Sequence, residues 1–253
     1  MKVLVTGASS GIGRDLAKEF AKRKYDLILV ARNVERLEAL KEELKKEYEV
    51  NVEYLSVDLS KRENCIDLYS KVKDIDILVN NAGLGDFGEF SDTELTKDFS
   101  IIDTNITSVH VLTKLYLKDM RERNSGKILN VASIAGFMPG PLMATYYASK
   151  NYVVRLSEAI REELHKAKSN VKISILCPGP VKTNFNNVAN VKFELSSLSS
   201  EYVAKYTVNK FLKDKFYIVP GKMIQIGKAL TKIVPTPIVA KVCYKLQKSK
   251  AGK

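Results

Sequence analysis

A phenol and an ammonium stand four residues apart in Y-Y-A-S-K, as Tyr146 and Lys150, and Ser133 precedes that tyrosine by thirteen residues. On a helix, residues four apart project from one face, so the two groups can share a pocket. A tyrosine with an ordinary pKa of about 10 is a poor base at neutral pH. A fixed positive charge beside it favours the phenolate. The spacing therefore points to proton transfer, with Tyr146 as acid/base and Lys150 lowering its pKa. Tyr147 competes for the role, but its partner at i+4 is the uncharged Asn151. Taken alone, Y-x-x-x-K is also what many solvated helix faces present, and its weight comes from the surrounding motifs.

The chain opens with a short apolar run and then T-G-A-S-S-G-I-G, in which Gly7, Gly11 and Gly13 are spaced G-x-x-x-G-x-G. Between a strand and a helix, such glycines allow a tight turn, a close backbone approach to a pyrophosphate and close helix–sheet packing. Thr6, Ser9 and Ser10 add hydroxyl donors, and Ile12 lies inside the loop. Arg32 ends the second apolar run, where the adenosine ribose of a dinucleotide would lie. An acid there would accept from a 2′-hydroxyl, whereas an arginine favours a 2′-phosphate. The expectation is NADP(H) in preference to NAD(H). Asp58-Leu59 can flank the adenine, although Asp is equally a helix cap. In Asn80-Asn81-Ala82-Gly83, small residues let the chain pass close to a cofactor, while the amides can instead tie neighbouring strands together.

The elements that must position these groups are legible as alternation. Strands are expected at Val3–Val5, Leu27–Val30, Val52–Val57, Ile77–Val79, Lys127–Val131, Val171–Leu176 and Phe216–Val219. Between them fall helices at about Ile12–Lys24, Val34–Tyr48, Arg62–Val72, from Ser91 past Asn105, and Tyr146–Lys166. Short apolar strands alternating with helices imply a parallel sheet covered on both faces, an α/β doubly wound, Rossmann-like domain. Ligands bind such sheets beyond the carboxyl ends of the strands. Gly7, Arg32, Asp58, Asn81, Ser133 and Pro178 each follow a strand end.

With these motifs in hand, the chain resembles the short-chain dehydrogenase/reductase family, in its NADP-preferring form, over about residues 1–220. The resemblance rests on T-G-A-S-S-G-I-G, N-N-A-G, Asn105, Ser133, Y-x-x-x-K and C-P-G-P-V-K-T in family order. It implies hydride transfer between a nicotinamide and a carbonyl or alcohol carbon. It further implies that Asn105 holds a water in a proton relay, Ser133 bonds the substrate carbonyl, Tyr146 is the acid/base, and Lys150 also binds the nicotinamide ribose. Asn81, Ala82 and Gly83 would line the nicotinamide side. Pro178, Gly179, Val181 and Thr183 would follow the sixth strand, with the last two near the carboxamide. Where NADP-preferring members often carry a basic residue in the glycine loop, this chain has Ile12, which leaves Arg32, with Ser9, to hold the 2′-phosphate.

Composition bounds the rest. Hydrophobic residues at 45% and charged residues at 28% exclude extensive disorder. Cys65, Cys177 and Cys243 are too far apart for a C-x-x-C or a metal cluster and read as reduced thiols. Only His110 and His165 are present, which argues against a His-based triad or zinc site. Nothing before the first strand reads as a secretory signal, and a cytoplasmic protein is expected. The charge of +12 is uneven: from Tyr202 onward there are twelve lysines and one acid, Asp214, a net of +11. A nucleic-acid binder would be basic more uniformly.

The chain divides into a catalytic unit over 1–221 and a basic amphipathic extension over 222–253. In the extension Met223, Ile226, Leu230 and Ile233 recur at helical spacing among Lys222, Lys228 and Lys232. After Pro235 and Pro237 the pattern resumes with Ile238, Val242 and Leu246 beside Lys241, Lys245 and Lys248. Such a pair can lie on an anionic membrane surface, or pack on the domain or a sister subunit. The segment 184–200, with Phe185, Val188, Val191, Phe193, Leu195 and Leu198, is expected to fold over the site, as a hydrophobic substrate wall or simply as a packed lid. Together these readings give an NADP(H)-dependent carbonyl reductase, with a 3-oxoacyl-thioester reductase as the narrower alternative and a non-catalytic dinucleotide-binding regulator as the alternative from another class. A homodimer or homotetramer is expected from the resemblance.

Overall fold

Val3, Leu4 and Val5 are wholly buried although they are consecutive, which is the mark of a strand covered on both faces. Successive side chains point to opposite sides. Val3 and Val5 enter one core and Leu4 the other. In the computed structural model, which describes residues 1–183, 185, 197–231 and 233–249, this strand is β1 (Lys2–Thr6). It pairs in parallel with β2 (Asp26–Ala31) on one side and β4 (Ile77–Asn80) on the other. With β3 (Val52–Ser56), β5 (Lys127–Val131), β6 (Lys172–Leu176) and β9 (Tyr217–Ile218) it forms a seven-stranded parallel sheet in the order β3-β2-β1-β4-β5-β6-β9. This is the expected α/β Rossmann-like domain. The strand order reverses between β1 and β4, and that switch point opens the crevice in which such sheets bind ligands.

One core lies under α1 (Gly11–Ala21), α2 (Val34–Tyr48) and α7 (Ser200–Phe211). The other lies under α3 (Arg62–Lys71), α5 (Ser108–Glu122) and α6 (Ala144–Lys166). Helix α1 ends earlier than expected, because Lys24 takes the left-handed conformation and its N–H closes onto Ala21 O at 2.8 Å. The helix expected from Ser91 begins instead at Leu95, as α4 (Leu95–Ile102). A π-helical turn at Asp103–Thr107 separates it from α5. Such turns frequently mark functional positions, and Asn105 lies in this one.

Outside the main sheet, β7 (Val181–Lys182) and β8 (Leu198–Ser199) pair in parallel, closing the base of the segment that was expected to cover the site. Val188, Val191, Phe193 and Leu195 lie outside the described residues. The extension forms α8 (Lys222–Leu230) and α9 (Thr236–Lys248), with Pro237 in the first turn of α9. Proline is tolerated there because its missing N–H is not needed.

Candidate active site

The strand ends open into one cleft of about 580 Å³. Its wall carries Gly7, Ser9, Ser10, Gly11 and Ile12 after β1, Arg32 after β2, Asp58 and Leu59 after β3, and Asn81, Ala82 and Gly83 after β4. Ser133 joins them after β5, Tyr146 and Lys150 from α6, and Pro178, Gly179, Val181 and Thr183 after β6. Gly13 and Asn105 stand behind this wall. A separate hollow of about 610 Å³ lies between the outer faces of α5 and α6, lined by His110, Lys114, Leu117 and Ile160, away from the strand ends.

The glycine loop is close-packed from behind. Gly7 has φ +64°, and a Cβ there would come within 2.8 Å of Asn81 Nδ2. A Cβ on Gly13 would meet Gly7 O and Asn81 Nδ2, both at 2.3 Å. Asn81 donates to Thr6 O at 2.9 Å and Gly7 O at 3.2 Å, and the Thr6 hydroxyl accepts from the N–H groups of Asn81 and Ala82. Asn81 therefore borders the cleft, but its side-chain donors hold the loop in shape. Asn80 is buried and donates to Thr113 Oγ1 and Asn130 Oδ1, tying β4 to β5 and α5. Ser10 caps α1 without a side-chain hydrogen bond and lines the cleft beside the positive end of the helix. This cradle, open in front and filled behind, fits a dinucleotide phosphate.

At the ribose end Arg32 is joined by Asn33 and Arg36, which sequence reading missed. Asn33 caps α2 by accepting from Arg36 N at 2.8 Å, so the first turn of that helix directs a second guanidinium to the same rim. Burial pushes the Asp58 carboxyl up. The Ser60 hydroxyl and amide, with Arg32 and Lys61, outweigh this and hold it below the usual range.

At the other end the Ser133 Oγ accepts from Ala135 N at 3.1 Å and donates to Pro178 O at 3.5 Å, with its hydroxyl near enough to the Tyr146 phenol to influence its titration. Lys150 donates to Val131 O at 3.0 Å, and its Nζ lies 5.8 Å from the centroid of the Tyr146 ring. The geometry brings the three groups together, but the expected depression of the phenol is reversed. Burial pushes Tyr146 up to about 12, which the nearby Ser133 hydroxyl only partly offsets. Burial also pushes Lys150 down to about 8, against a smaller opposing pull from Cys177. The ammonium is itself desolvated, and desolvation dominates both groups.

Asn105 sits beside this group. Fully buried, it accepts from Leu84 N at 2.8 Å and donates to Leu84 O and Ser149 Oγ, both at 2.9 Å. Ser149 in turn donates to Tyr146 O at 2.7 Å. The Asn105 amide thus ties the loop after β4 to Ser149 in the second turn of α6. Asn105 Oδ1 and Lys150 Nζ each lie 3.3 Å from where a Gly83 Cβ would stand.

Beyond Tyr146 the cleft is walled by Met138, Met143, Tyr147, Phe185, Cys243, Leu246 and Gln247. The Tyr146 ring lies 5.4 Å from Phe185 and 6.0 Å from Tyr147, centroid to centroid. Gln247 donates to the Tyr147 hydroxyl at 2.6 Å, and Cys243 Sγ lies 3.4 Å from Met138 Sδ. Helix α9 therefore closes this end. No local signal in the sequence announces it, since the partners are about 100 residues apart.

A family model described as short chain dehydrogenase matches residues 1–192. The very-long-chain 3-oxoacyl-CoA reductase of Anas platyrhynchos is 35% identical over 202 residues, covering 76% of this chain and 63% of that protein. The 17-beta-hydroxysteroid dehydrogenase 13 of Homo sapiens is 34% identical over 241 residues, covering 92% and 79%. Among solved structures, a short-chain dehydrogenase from Sphingobium yanoikuyae in complex with NADPH superposes with a TM-score of 0.83 at 28% identity, covering 92% of this chain and 96% of that one. One from Burkholderia phymatum in complex with NAD superposes equally well, at 0.83, with 25% identity and coverage of 90% and 92%. The chain thus spans under two thirds of the duck protein's length.

Proposed function

We propose that this chain, which belongs to the short-chain dehydrogenase family, reduces a hydrophobic ketone at the expense of NADPH. The observation that carries the reading is the convergence of Ser133, Tyr146 and Lys150 on the same cleft wall as the glycine loop. Preference for NADP(H) over NAD(H) is supported by Arg32 and Arg36 on one rim, two guanidinium groups suited to a phosphate. When bound, the dinucleotide supplies the hydride for the carbonyl carbon.

The residues of the chain do the rest. Gly7, Ser9, Ser10 and Gly11 cradle the pyrophosphate, with Asn81 and Gly13 holding the loop behind it. Ser133 donates to the substrate carbonyl. Tyr146, neutral in the free protein because burial raises its pKa, donates the proton that the developing alkoxide needs. Removing one donor of such an oxyanion site costs about 3 kcal/mol in comparable enzymes. Lys150 supplies the nearest positive charge. Asn105, through Leu84 and Ser149, fixes the loop and helix that carry the other groups. Met138, Met143, Phe185 and Leu246 give the substrate end an apolar lining that excludes water from the reacting carbonyl.

A second reading, a 3-oxoacyl-thioester reductase, is favoured by the activity named for the duck relative and by the same apolar lining. Residues 1–221 would be the catalytic unit in either case, with 222–253 extending it. Assembly as a homodimer or homotetramer through α5 and α6 is proposed from the family membership alone. The proposed location is cytoplasmic, and among the described residues no helix is long and apolar enough to cross a membrane. The test is loss of NADPH absorbance with a panel of hydrophobic ketones, aldehydes and 3-oxoacyl-CoA thioesters, repeated with NADH. Turnover of a ketone supports the first reading and turnover confined to thioesters the second. NADPH binding without turnover of any of them would instead indicate a dinucleotide-binding regulator.

A further inference from the structure

We propose that α8 and α9 form a docking surface for an anionic lipid membrane, placed so that the substrate end of the cleft opens beside it. On α8, Ile224 packs on Gly179 and the core, while Met223, Ile226 and Leu230 form a separate exposed stripe at i, i+3 and i+7. On α9, Cys243 and Gln247 turn inward to the cleft. Next round the helix come Leu246, Val242 and Ile238, about half exposed, and then the exposed Lys245, Lys241 and Lys248. Ile233, between the helices, is 80% exposed and Met223 77%.

An apolar stripe flanked by lysines is the pattern of a helix lying in a headgroup region. Charge selects the occupant: residues 222–253 carry eight lysines and no acid, which suits an anionic surface. Leu246 belongs both to the exposed stripe and to the cleft lining. Through that residue an apolar substrate dissolved in lipid would reach Tyr146 with little exposure to water. This last step rests on the reductase reading, whereas the docking does not.

The experiment is flotation of the full chain with phosphatidylserine/phosphatidylcholine vesicles and with pure phosphatidylcholine vesicles, at low and raised salt. A double variant, Ile238→Glu with Val242→Glu, is run alongside, with thermal melting to verify its fold. Sizing by light scattering and NADPH oxidation with a water-soluble ketone are measured on the same samples. The proposal predicts that the wild type floats with the anionic vesicles and that salt weakens this. The double variant should partition roughly tenfold more weakly or worse and turn over the soluble ketone at the wild-type rate. Absence of flotation, or equal flotation with neutral vesicles, would overturn it. So would dissociation of a dimer by the same variant, since a second copy would then cover the face. Docking without turnover of this ketone or of the hydrophobic panel leaves this proposal standing and removes the reductase reading; turnover without docking does the reverse.

Discussion

The Lys150 ammonium lies 5.8 Å from the centroid of the Tyr146 ring, and it is anchored to the Val131 carbonyl at 3.0 Å rather than to the phenol. Lys150 is buried and Tyr146 partly so, and each resists its charged form. Tyr146 is pushed up to about 12 and Lys150 down to about 8. In the free protein near neutral pH the pair is therefore a neutral phenol beside an ammonium close to its own titration point, a state prepared to give a proton.

That state sets the pH dependence. Reduction needs the Tyr146 proton, which is held to about 12, and the Lys150 charge, which is lost above about 8. The pH profile of kcat/KM reports groups of the free enzyme. It should be level below the Lys150 pKa and fall as pH rises through about 8. A profile that stays level through this range would contradict the assignment.

Stability should move the other way. The folded pKa of Lys150 lies below that of an unfolded lysine, about 10.4, so between the two the unfolded chain binds more protons. The destabilisation is full below about 8 and fades as pH rises toward the unfolded value. Lys150→Met should raise Tm at neutral pH by roughly 5 °C, with the gain shrinking at alkaline pH, while turnover is lost. Scanning fluorimetry across pH checks this, and a lower Tm at neutral pH would count against it.

Gly13→Ala tests the cradle from behind. The added methyl would meet Gly7 O and Asn81 Nδ2 at 2.3 Å, and overpacking of this kind costs about 1–3 kcal/mol. The expected result is a lower Tm together with lost nucleotide binding, read by quenching of NADPH fluorescence. Unchanged binding would mean that the loop does not carry the phosphates.

At the opposite rim, Arg32→Ala and Arg36→Ala should each weaken NADPH by about tenfold and leave NADH nearly unaffected. Titration of both nucleotides against each variant measures this. Equal losses for the two would remove the argument for NADP(H).

Much of this architecture was legible in the sequence because it is local. Apolar strands such as Val3–Val5, glycines at a strand end, and Tyr146 and Lys150 on one helix face all follow from short-range spacing. What escaped depends on distance or on competing energies. Arg36 lines the cleft from the first turn of α2, which Asn33 caps. The Gln247–Tyr147 bond joins residues 100 apart. Asn105, in a π-helical turn, holds Leu84 and Ser149, residues 21 and 44 positions away. The direction of the Tyr146 shift came out opposite to expectation because spacing reveals a neighbouring charge but not how deeply both groups are buried.

The central claim is that Tyr146 gives the proton, and Tyr146→Phe tests it most directly, because the ring stays and only the hydroxyl goes. With saturating NADPH and a ketone substrate, turnover should fall at least about a thousandfold, while NADPH still binds within about threefold of the wild type. A variant that binds NADPH and reduces the ketone at a comparable rate would contradict the account.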